Sequence, residues 1–261
     1  MLHWLASLPG WVLFPIFITV GIGITFAFDL FVRWGVAPDI KGRASSTAGV
    51  TLQVLATIYA ILIAFVIVDE YTTVRDAQRQ VSDKAAGLSV LFENSRAFRS
   101  SEGDRVREAT LTYARSVVHN GLPTLEHRAR PDRTTDRAIE GVYRAVQAVE
   151  PVGAAQRAAY TEMLDALDSA TRTREALINS ANASIPTELF WLLVLIGLTV
   201  MAVATLLDTQ HRRSHLFILS ALALVIWLTL ALVVTLDYPF QGIIRVTDTP
   251  IRDFIHFRAA R

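Results

Sequence analysis

Four long stretches of the chain contain no charged side chain. They lie between His3 and Asp29, between Arg43 and Asp69, at Leu189–Leu207 and at Leu216–Leu236. Each holds at least 19 residues, and a helix of about 20 residues crosses the hydrocarbon core of a bilayer. The pattern therefore predicts four transmembrane helices, spans one to four. The first stretch is too long for the apolar core of a secretory signal and no Lys or Arg precedes it, so we expect a retained helix.

The segment between spans two and three has the period of amphipathic helices. Apolar side chains recur at spacings of three, four and seven residues, at Tyr71, Val74, Val81, Ala85, Leu88 and Phe92. This spacing predicts that span two continues beyond the membrane as a helix with one buried face. A Ser-x-x-acid pattern at Ser101–Asp104 predicts the start of a second helix, which we expect to end at the sequence NGLP, residues 120–123.

Two more helices are predicted before span three. One lies between Pro131 and Pro151, and the other runs from about Ala154 to Asn182. The second has Tyr160, Leu164, Leu167, Thr171 and Ile178 on one face. No segment shows the period of two that marks a strand. The predicted fold is therefore all-α: an integral membrane protein with four transmembrane helices and a helical extramembrane bundle built on extensions of spans two and three.

These elements divide the chain into four segments. Residues 1–68 hold spans one and two, 69–185 the helical extramembrane domain, 186–236 spans three and four, and 237–261 a C-terminal tail. Because the number of spans is even, we expect both ends of the chain and the extramembrane domain on one side of the membrane. The short connections, residues 35–47 and 208–215, are then on the other side.

Composition argues against several classes of function. The net charge of +1 and the lack of a long basic run argue against nucleic-acid binding. The chain contains no cysteine, so it can form no disulfide, thiolate nucleophile or Cys-ligated metal site. It also lacks a nucleophile elbow, a phosphate-binding glycine loop and a His-Glu-x-x-His motif. We therefore expect no enzymatic activity and no cofactor.

No metal site is expected either. His211 and His215 are four residues apart, but no third ligand is spaced to complete a site. With the two arginines between them they are interpreted as part of a basic connection between spans three and four. Asp165 and Asp168 share a helical face outside the membrane and are interpreted as solvated acids.

Small side chains line two of the predicted spans. They lie at Ala56, Ala60 and Ala64 on span two and at Thr19, Gly23 and Ala27 on span one. Small residues spaced by four allow two helices to approach closely. Packing within one chain and packing between subunits both remain open for these stripes.

Charged residues lie near the ends of spans one and two. Asp29 and Arg33 are four residues apart on one face of span one, where an ion pair would reduce the cost of placing either in lipid. Asp69 and Glu70 lie where span two leaves the membrane. As helical neighbours they cannot both face a central axis. Either one of them forms a charged ring at the mouth of a pore, or both are solvated carboxylates at the water boundary.

Two faces of span two are alternatives for the lining of a pore. Gln53 and Thr57 repeat with the alanine stripe at spacings of three and four, as in a hydrated path or an interhelical hydrogen-bond seam. Ile58, Ile61 and Phe65 lie on an apolar face that suits a hydrophobic constriction or contact with lipid. The candidate pore-lining residues are Gln53, Thr57, Ile58, Ile61, Phe65, Asp69 and Glu70.

Three stretches of sequence follow one another in the order of a known family. They are AFVIVDEYTTVRDA at the end of span two, TRTREALINSANASIPTELFW before span three and LDYPFQGIIRV after span four. In these stretches the chain resembles the bestrophin-like family of prokaryotic membrane proteins, and the resemblance extends from about residue 45 to 255. It departs where the family tends to have a tryptophan near Glu70 and an acidic-Trp-Pro stretch near Asn120.

The third stretch is an exit segment from span four. Asp237 and Tyr238 suit the end of a membrane helix, Pro239 stops the helix, and Gly242 allows the chain to turn after Phe240. Each residue type is explained separately by its place at a helix end. The resemblance implies more, namely that the whole segment is held against the base of the extension of span two.

The resemblance also implies a function. Bestrophins are pentameric anion channels with four spans per subunit and a pore lined by the second span. The chain is therefore expected to be a homo-oligomeric ion channel, with a pentamer favoured, whose partners are copies of itself, membrane lipid and the permeant ion. A ring of Asp69 or Glu70 would favour cations, unlike the bestrophin precedent. The alternative is a non-conducting membrane scaffold or sensor that acts through the extramembrane domain.

The basic residues leave the orientation open. Five lie on or beside the short connections, which the positive-inside rule would place in the cytoplasm. Seven others lie within about 20 residues of a span on the opposite side. The resemblance implies an inner-membrane protein whose extramembrane domain is cytoplasmic.

Overall fold

The fold is all-α. A computed structural model of the chain describes residues 10–35, 38–128, 132–182, 185–207, 212–237 and 246–259. These residues form nine α-helices: α1 (Gly10–Gly35), α2 (Pro38–Asn94), α3 (Ser100–Ser116), α4 (Leu122–Arg128), α5 (Arg133–Gln147), α6 (Ala154–Asn182), α7 (Thr187–Ala204), α8 (Arg212–Leu236) and α9 (Thr249–Ala259). A 3-10 turn follows α2 at Ser95–Ala97, and a π-helical turn follows α3 at Val117–Gly121. No strand occurs within the ranges described, as predicted.

Four of these helices are long and apolar enough to cross a membrane. They are α1, the first part of α2, α7 and α8, which confirms the four predicted spans. The apolar run of α2 ends at Val68, but the helix continues to Asn94. Its length of 57 residues is nearly three times the roughly 20 residues needed to cross a bilayer. The predicted helical extension of span two is therefore present.

The chain divides into two compact units. The membrane unit comprises residues 1–72 and 184–244, and the extramembrane unit comprises residues 73–183 and 245–261. The four spans belong to the first. The described helix α9 belongs to the second, so part of the segment predicted as a tail is a structural element of the extramembrane unit.

Helix α8 is the central helix of the membrane unit. In the most apolar stretch of α8, 44 % of the residues are buried, whereas in the most apolar stretch of α2 only 11 % are. Tyr59 and Ile63 of α2 and Leu193 of α7 pack in one cluster with Ile226 and Leu230 of α8. Gly197 permits this approach, because a β-carbon there would lie 3.0 Å from the Ile226 side chain. The burial of α8 and the exposure of α2 show that α2 lies at the edge of this unit.

Helix α1 packs on α8 through a face that the sequence analysis did not identify. Gly21 lies against the indole of Trp227, and a β-carbon at that glycine would lie 2.1 Å from the ring. One turn away Thr25 is buried, and its hydroxyl donates to the Gly21 carbonyl at 2.8 Å. Leu13 packs with Ala231 of α8 at the other end of the same face. Helix α1 thus packs on α8 through Leu13, Gly21 and Thr25, which are spaced by multiples of four, and the two helices come closest at Gly21.

The extramembrane unit is a helical bundle around the second half of α2. The fully buried side chains at its centre are Val81, Leu88, Leu91, Val106, Tyr113, Met163, Leu167 and Leu177. The face of α2 predicted to be buried is buried from Val74 onward, whereas Tyr71 is exposed. On α6 the prediction is partly wrong, since Leu164 is exposed while Ala166 and Ala170 are buried. Alanines pack there because α2 comes close: a β-carbon at Gly87 would lie 3.4 Å from the Ala166 carbonyl oxygen.

Helix α9 packs along the extension of α2. Ile251 and Phe254 are buried, and Phe254 meets Phe92 edge-on with ring centroids 6.1 Å apart. The Gln78 amide donates to the Thr247 carbonyl at 3.3 Å and accepts from its N–H at 2.7 Å. Both apolar and polar contacts therefore fix the chain just before and within α9.

Helix α3 begins at Ser100, close to the predicted start, but its predicted capping box and its predicted end are wrong. The N-cap of α3 is Arg99, and no side chain caps that end, so the Ser101–Asp104 pattern does not form a capping box. NGLP does not end the helix either, because the π-turn carries the chain into α4. Pro123 falls in the first turn of α4, where a missing N–H costs least. A widened turn thus accommodates a sequence that normally stops a helix.

Two glycines of α1 provide a matched test of this packing. Gly21→Ala should destabilise the membrane unit by about 1–3 kcal/mol, because the added methyl overpacks the Trp227 contact. Gly23→Ala should destabilise it less, since a β-carbon there meets no atom of the same chain within 4 Å and alanine is itself small enough for a close helix contact. Thermal unfolding of the purified protein in detergent measures both. Equal effects of the two substitutions would contradict the described α1–α8 contact.

Candidate functional site

The candidate site is the exposed face of α2 within the membrane unit. Gln53, Thr57, Ile58, Ile61, Phe65 and Asp69 are all exposed in the single chain. At 3.6 residues per turn they fall within about 80° of Ile61 around the helix. Tyr59, Ile63 and Val66 point the other way, into the core with α7 and α8. The polar and the apolar alternatives from the sequence analysis thus belong to one broad surface.

The face changes in character along the helix. Gln53 and Thr57 are its polar positions, and the Thr57 hydroxyl donates to the Gln53 carbonyl at 2.8 Å. Ile58, Ile61 and Phe65 follow, with 46 %, 52 % and 71 % of their surface exposed. Asp69 comes one turn after Phe65. The order along α2 is therefore polar, then apolar, then acidic.

The two neighbouring acids at the end of this face have different environments. Asp69 is exposed to solvent. Glu70 points toward the core, and only 9 % of its surface is exposed. Burial raises the pKa of Glu70 to about 7, and the nearby charges of Asp237 and Asp69 add to the effect. Of the pair, Asp69 is thus the acid that shares a side of the helix with Phe65.

Asp237 connects the end of α8 to the start of α7. Its carboxylate accepts a hydrogen bond from the Ile185 N–H at 2.6 Å, just before the N-cap of α7 at Pro186. Burial raises the pKa of Asp237, and the Ile185 N–H opposes that shift. The other residues of the exit segment, Tyr238, Pro239, Phe240 and Gly242, lie outside the described ranges. Their predicted packing therefore stays a prediction.

A buried polar pair lies between α1 and α8. The Asp29 carboxylate and the His215 Nε2 are 3.1 Å apart, and both side chains are about 6 % exposed. The interpretation of His215 as part of a basic connection between spans is therefore wrong, because it lies within α8 and faces Asp29. No spacing rule could have paired residues 186 positions apart. The Arg33 side chain is outside the described set, so its predicted pairing with Asp29 stays a prediction.

The two small-residue stripes have little role in the packing of the single chain. Thr19, Gly23 and Ala27 are exposed on α1, on a different side from the Gly21 face. On α2, Ala56 is half-buried and packs against the core cluster, whereas Ala60 and Ala64 are exposed. Five of the six stripe residues thus remain available to a second surface.

The described residues contain no group of three or more His, Asp or Glu side chains that could hold a metal ion. His211 lies outside those residues. Asp165 and Asp168 are exposed, and Asp168 pairs with Arg172 one turn away at 2.5 Å. These acids lie in the solvated setting that the sequence analysis assigned to them.

Both the sequence and the fold of the chain are similar to those of known proteins. The sequence matches the profile of the Bestrophin-like domain over residues 19–251. The fold is similar to crystal structures of two variants of a bacterial bestrophin homologue from Klebsiella pneumoniae. The TM-scores are 0.71 and 0.69 at 13% and 14% identity, covering 95% and 94% of this chain and 99% and 97% of those chains. No curated protein matches the sequence significantly.

Glu70 gives the stability of the protein a pH dependence. Because its folded pKa of about 7 lies above the ordinary 4.5, the folded state holds more protons between those values, and stability falls as pH rises through that window. Glu70→Gln cannot lose a proton and lacks this fall. The melting temperature of the variant relative to wild type should therefore be higher at pH 8 than at pH 5.

Glu188→Gln, at an exposed position in the first turn of α7, is the matched control and should shift the melting temperature equally at both pH values. A Glu70→Gln difference that does not change with pH would contradict the inward orientation of this carboxyl group.

Proposed function

We propose that this chain, which belongs to the bestrophin-like family, assembles in the membrane into a homo-oligomeric ion channel whose pore is lined by α2. The observation that carries the proposal is the exposed α2 face from Gln53 to Asp69. Its residues are unburied in one chain, although the opposite side of the same helix is in the core. A helix that is half in the core and half exposed suits the wall of a central pore.

The apolar part of this face supports a constriction. Ile58, Ile61 and Phe65 repeat at spacings of three and four, so in a ring of subunits each would form its own layer of apolar side chains. A narrow apolar neck excludes water when closed and conducts when wetted. The face also lacks charge from Gln53 to Val68. A gate that works by dewetting is therefore the mechanism we propose.

Asp69 supports a selectivity element at one end of the neck. A ring of exposed carboxylates raises the local concentration of cations and repels anions. Glu70 is turned into the core of its own chain, so it is a poor candidate for the same ring. We propose that the pore favours cations at this mouth, in contrast to the anion channels that bestrophins proper form.

The small-residue stripes support the assembly. A β-carbon at Gly23 would meet no atom of the same chain within 4 Å, and Ala60 and Ala64 are exposed on the Gln53 and Thr57 side of the proposed pore face. Close helix approach between neighbouring subunits would bury these positions. A head-to-tail contact repeated between identical chains gives a closed ring when its rotation closes. By family resemblance we propose five chains, with the extramembrane unit in the cytoplasm of the cell.

Charge substitution at the proposed mouth tests conduction. In planar bilayers with a salt gradient, Asp69→Asn should move the reversal potential toward the equilibrium potential of the anion. Glu70→Gln is the matched control, one residue away on the opposite side of α2, and should leave the reversal potential where wild type has it. An Asp69→Asn channel with unchanged reversal potential would contradict the mouth assignment. A wild-type protein that never conducts would favour the scaffold or sensor alternative.

Bulky substitution in the stripes tests assembly. Gly23→Leu and Ala64→Leu should shift the native mass from a multiple of the 28.9 kDa chain toward the single chain, because leucine prevents close helix approach. Val20→Leu, at a lipid-compatible exposed position of α1, should leave the mass unchanged. Native mass spectrometry from mild detergent makes the measurement. A wild-type protein found only as single chains would overturn the oligomer.

A further inference from the structure

The extramembrane unit buries a lysine without a carboxylate partner among the described residues. Lys84 lies on α2 with 2 % of its surface exposed. Its ammonium donates to the Tyr113 hydroxyl at 3.3 Å and lies 5.8 Å from the centre of the same ring. No ion pair of Lys84 occurs in the described part of the chain. Burial of an ammonium group is costly unless a counter-charge offsets it.

A pocket lies beside this ammonium group. Lys84 from α2 and Arg174 from α6 both line it, together with Thr135 of α5. The Arg174 guanidinium also pairs with Asp136, whose own side chain is partly exposed. Two basic residues from different helices therefore line one space.

The rest of the lining is mainly apolar. It comprises Val117 and Gly121 of the π-turn, Leu122 and Leu125 of α4, and Leu177 and Ile178 of α6. Asp132 is the acid of the lining, and it is engaged as the N-cap of α5: its carboxylate accepts from the Thr135 N–H at 2.9 Å and hydroxyl at 3.0 Å. The wide π-turn and the small Gly121 leave the space open at this point.

The size of the pocket limits what it can hold. Its volume is about 30 Å³, and one water molecule needs at least about 10–15 Å³ on this measure. One monatomic ion or two water molecules fit in this space. The apolar walls cannot replace the hydration shell of a strongly hydrated ion.

We propose that this pocket is a binding site for one weakly hydrated monovalent anion of halide size, held by the Lys84 ammonium and the Arg174 guanidinium. The anion supplies a counter-charge for Lys84, with which neither nearby acid pairs among the described residues: Asp132 caps α5 and Asp136 pairs with Arg174. The site lies within the extramembrane unit and does not depend on whether the α2 face conducts.

The choice of lysine at this position fits a site that takes up an anion together with a proton. Lys41 and Lys84 are the two lysines of the chain, and its other 23 basic residues are arginine. Burial lowers the pKa of Lys84 to about 7, and the charge of Arg174 contributes. A bound anion favours the ammonium form, so binding should be tighter at pH 6 than at pH 8.

The other groups around Lys84 do not reverse this dependence. Tyr113 on α3 stays neutral, because burial raises the pKa of its hydroxyl. Arg174 on α6 stays charged throughout this range, and it pairs with Asp136 of α5. Asp132, with its pKa lowered by the Thr135 hydrogen bonds despite some desolvation, stays ionised. His119 of the π-turn is exposed. Lys84 is therefore the group whose protonation follows the anion.

Thermal unfolding of the full chain in detergent tests the site, with sodium chloride replaced by sodium gluconate at constant ionic strength. At pH 6, chloride at ten times its dissociation constant should raise the melting temperature of wild type by about 3–6 °C, and the rise should saturate. Lys84→Met, of similar length and without charge, should abolish the rise. Arg172→Gln, an exposed change two residues from Arg174, should keep it.

Crystals of wild-type protein grown in sodium bromide supply a second measurement if Lys84→Met does not fold. An anomalous peak for bromide between Lys84 and Arg174 is the expected result. A wild-type melting temperature that depends on ionic strength but not on chloride overturns the proposal, as does a bromide map without a peak in this pocket. A chloride response that Lys84→Met retains in full also overturns it.

Discussion

The structure depends on the one-sided burial of helix α2. In the membrane unit this helix places Tyr59, Ile63 and Val66 against α7 and α8, and leaves the side centred on Ile61 exposed. A lipid-facing helix satisfies its own backbone hydrogen bonds, so nothing in the single chain requires that side to be covered. The same helix continues to Asn94 and there forms the centre of the extramembrane bundle. One uninterrupted helix therefore organises the core of both units.

Buried ionisable groups lie at a few defined places along this framework. Asp29 and His215 face each other between α1 and α8, Glu70 lies near Asp237, and Lys84 lies beside Tyr113. Each costs free energy unless a partner or a change of protonation state offsets it. Glu70 and Lys84 are therefore the positions where proton concentration can act on the fold, because burial shifts the pKa of both.

The sequence predicted the elements better than it predicted their partners. Four uncharged runs and the spacing after Val68 were enough for the spans and for the extension of α2, because length and period are local properties. The docking face of α1 was missed because Thr19, Gly23 and Ala27 look as suitable as Gly21 and Thr25, and only the position of Trp227 separates them. Helix α9 was missed because eleven residues are too short for a clear periodic signal, and the contacts that hold this segment come from Phe92 and Gln78, far away in sequence.

The candidate site shows the same limit. Sequence spacing brought Gln53, Ile61 and Phe65 to neighbouring positions on α2, but it could not say which of two adjacent acids pointed outward. That depends on which side of α2 packs against α7 and α8, the side of Tyr59, Ile63 and Val66. The NGLP sequence was misjudged for a related reason: the π-turn at Val117–Gly121 leads directly into α4, whose first turn holds Pro123, and no local rule for helix ends contains that option.

The most direct test of the central claim is a cysteine scan of α2, for which the chain is suited because it contains no cysteine. Single cysteines at Thr57, Ile61, Phe65 and Asp69, and at Tyr59, Ile63, Val66 and Glu70, would be exposed to a charged thiol reagent while current through a planar bilayer is recorded. The account predicts block at the first four positions and none at the second four. Block without this helical period, or block confined to the second set, would contradict a pore lined by the exposed face of α2.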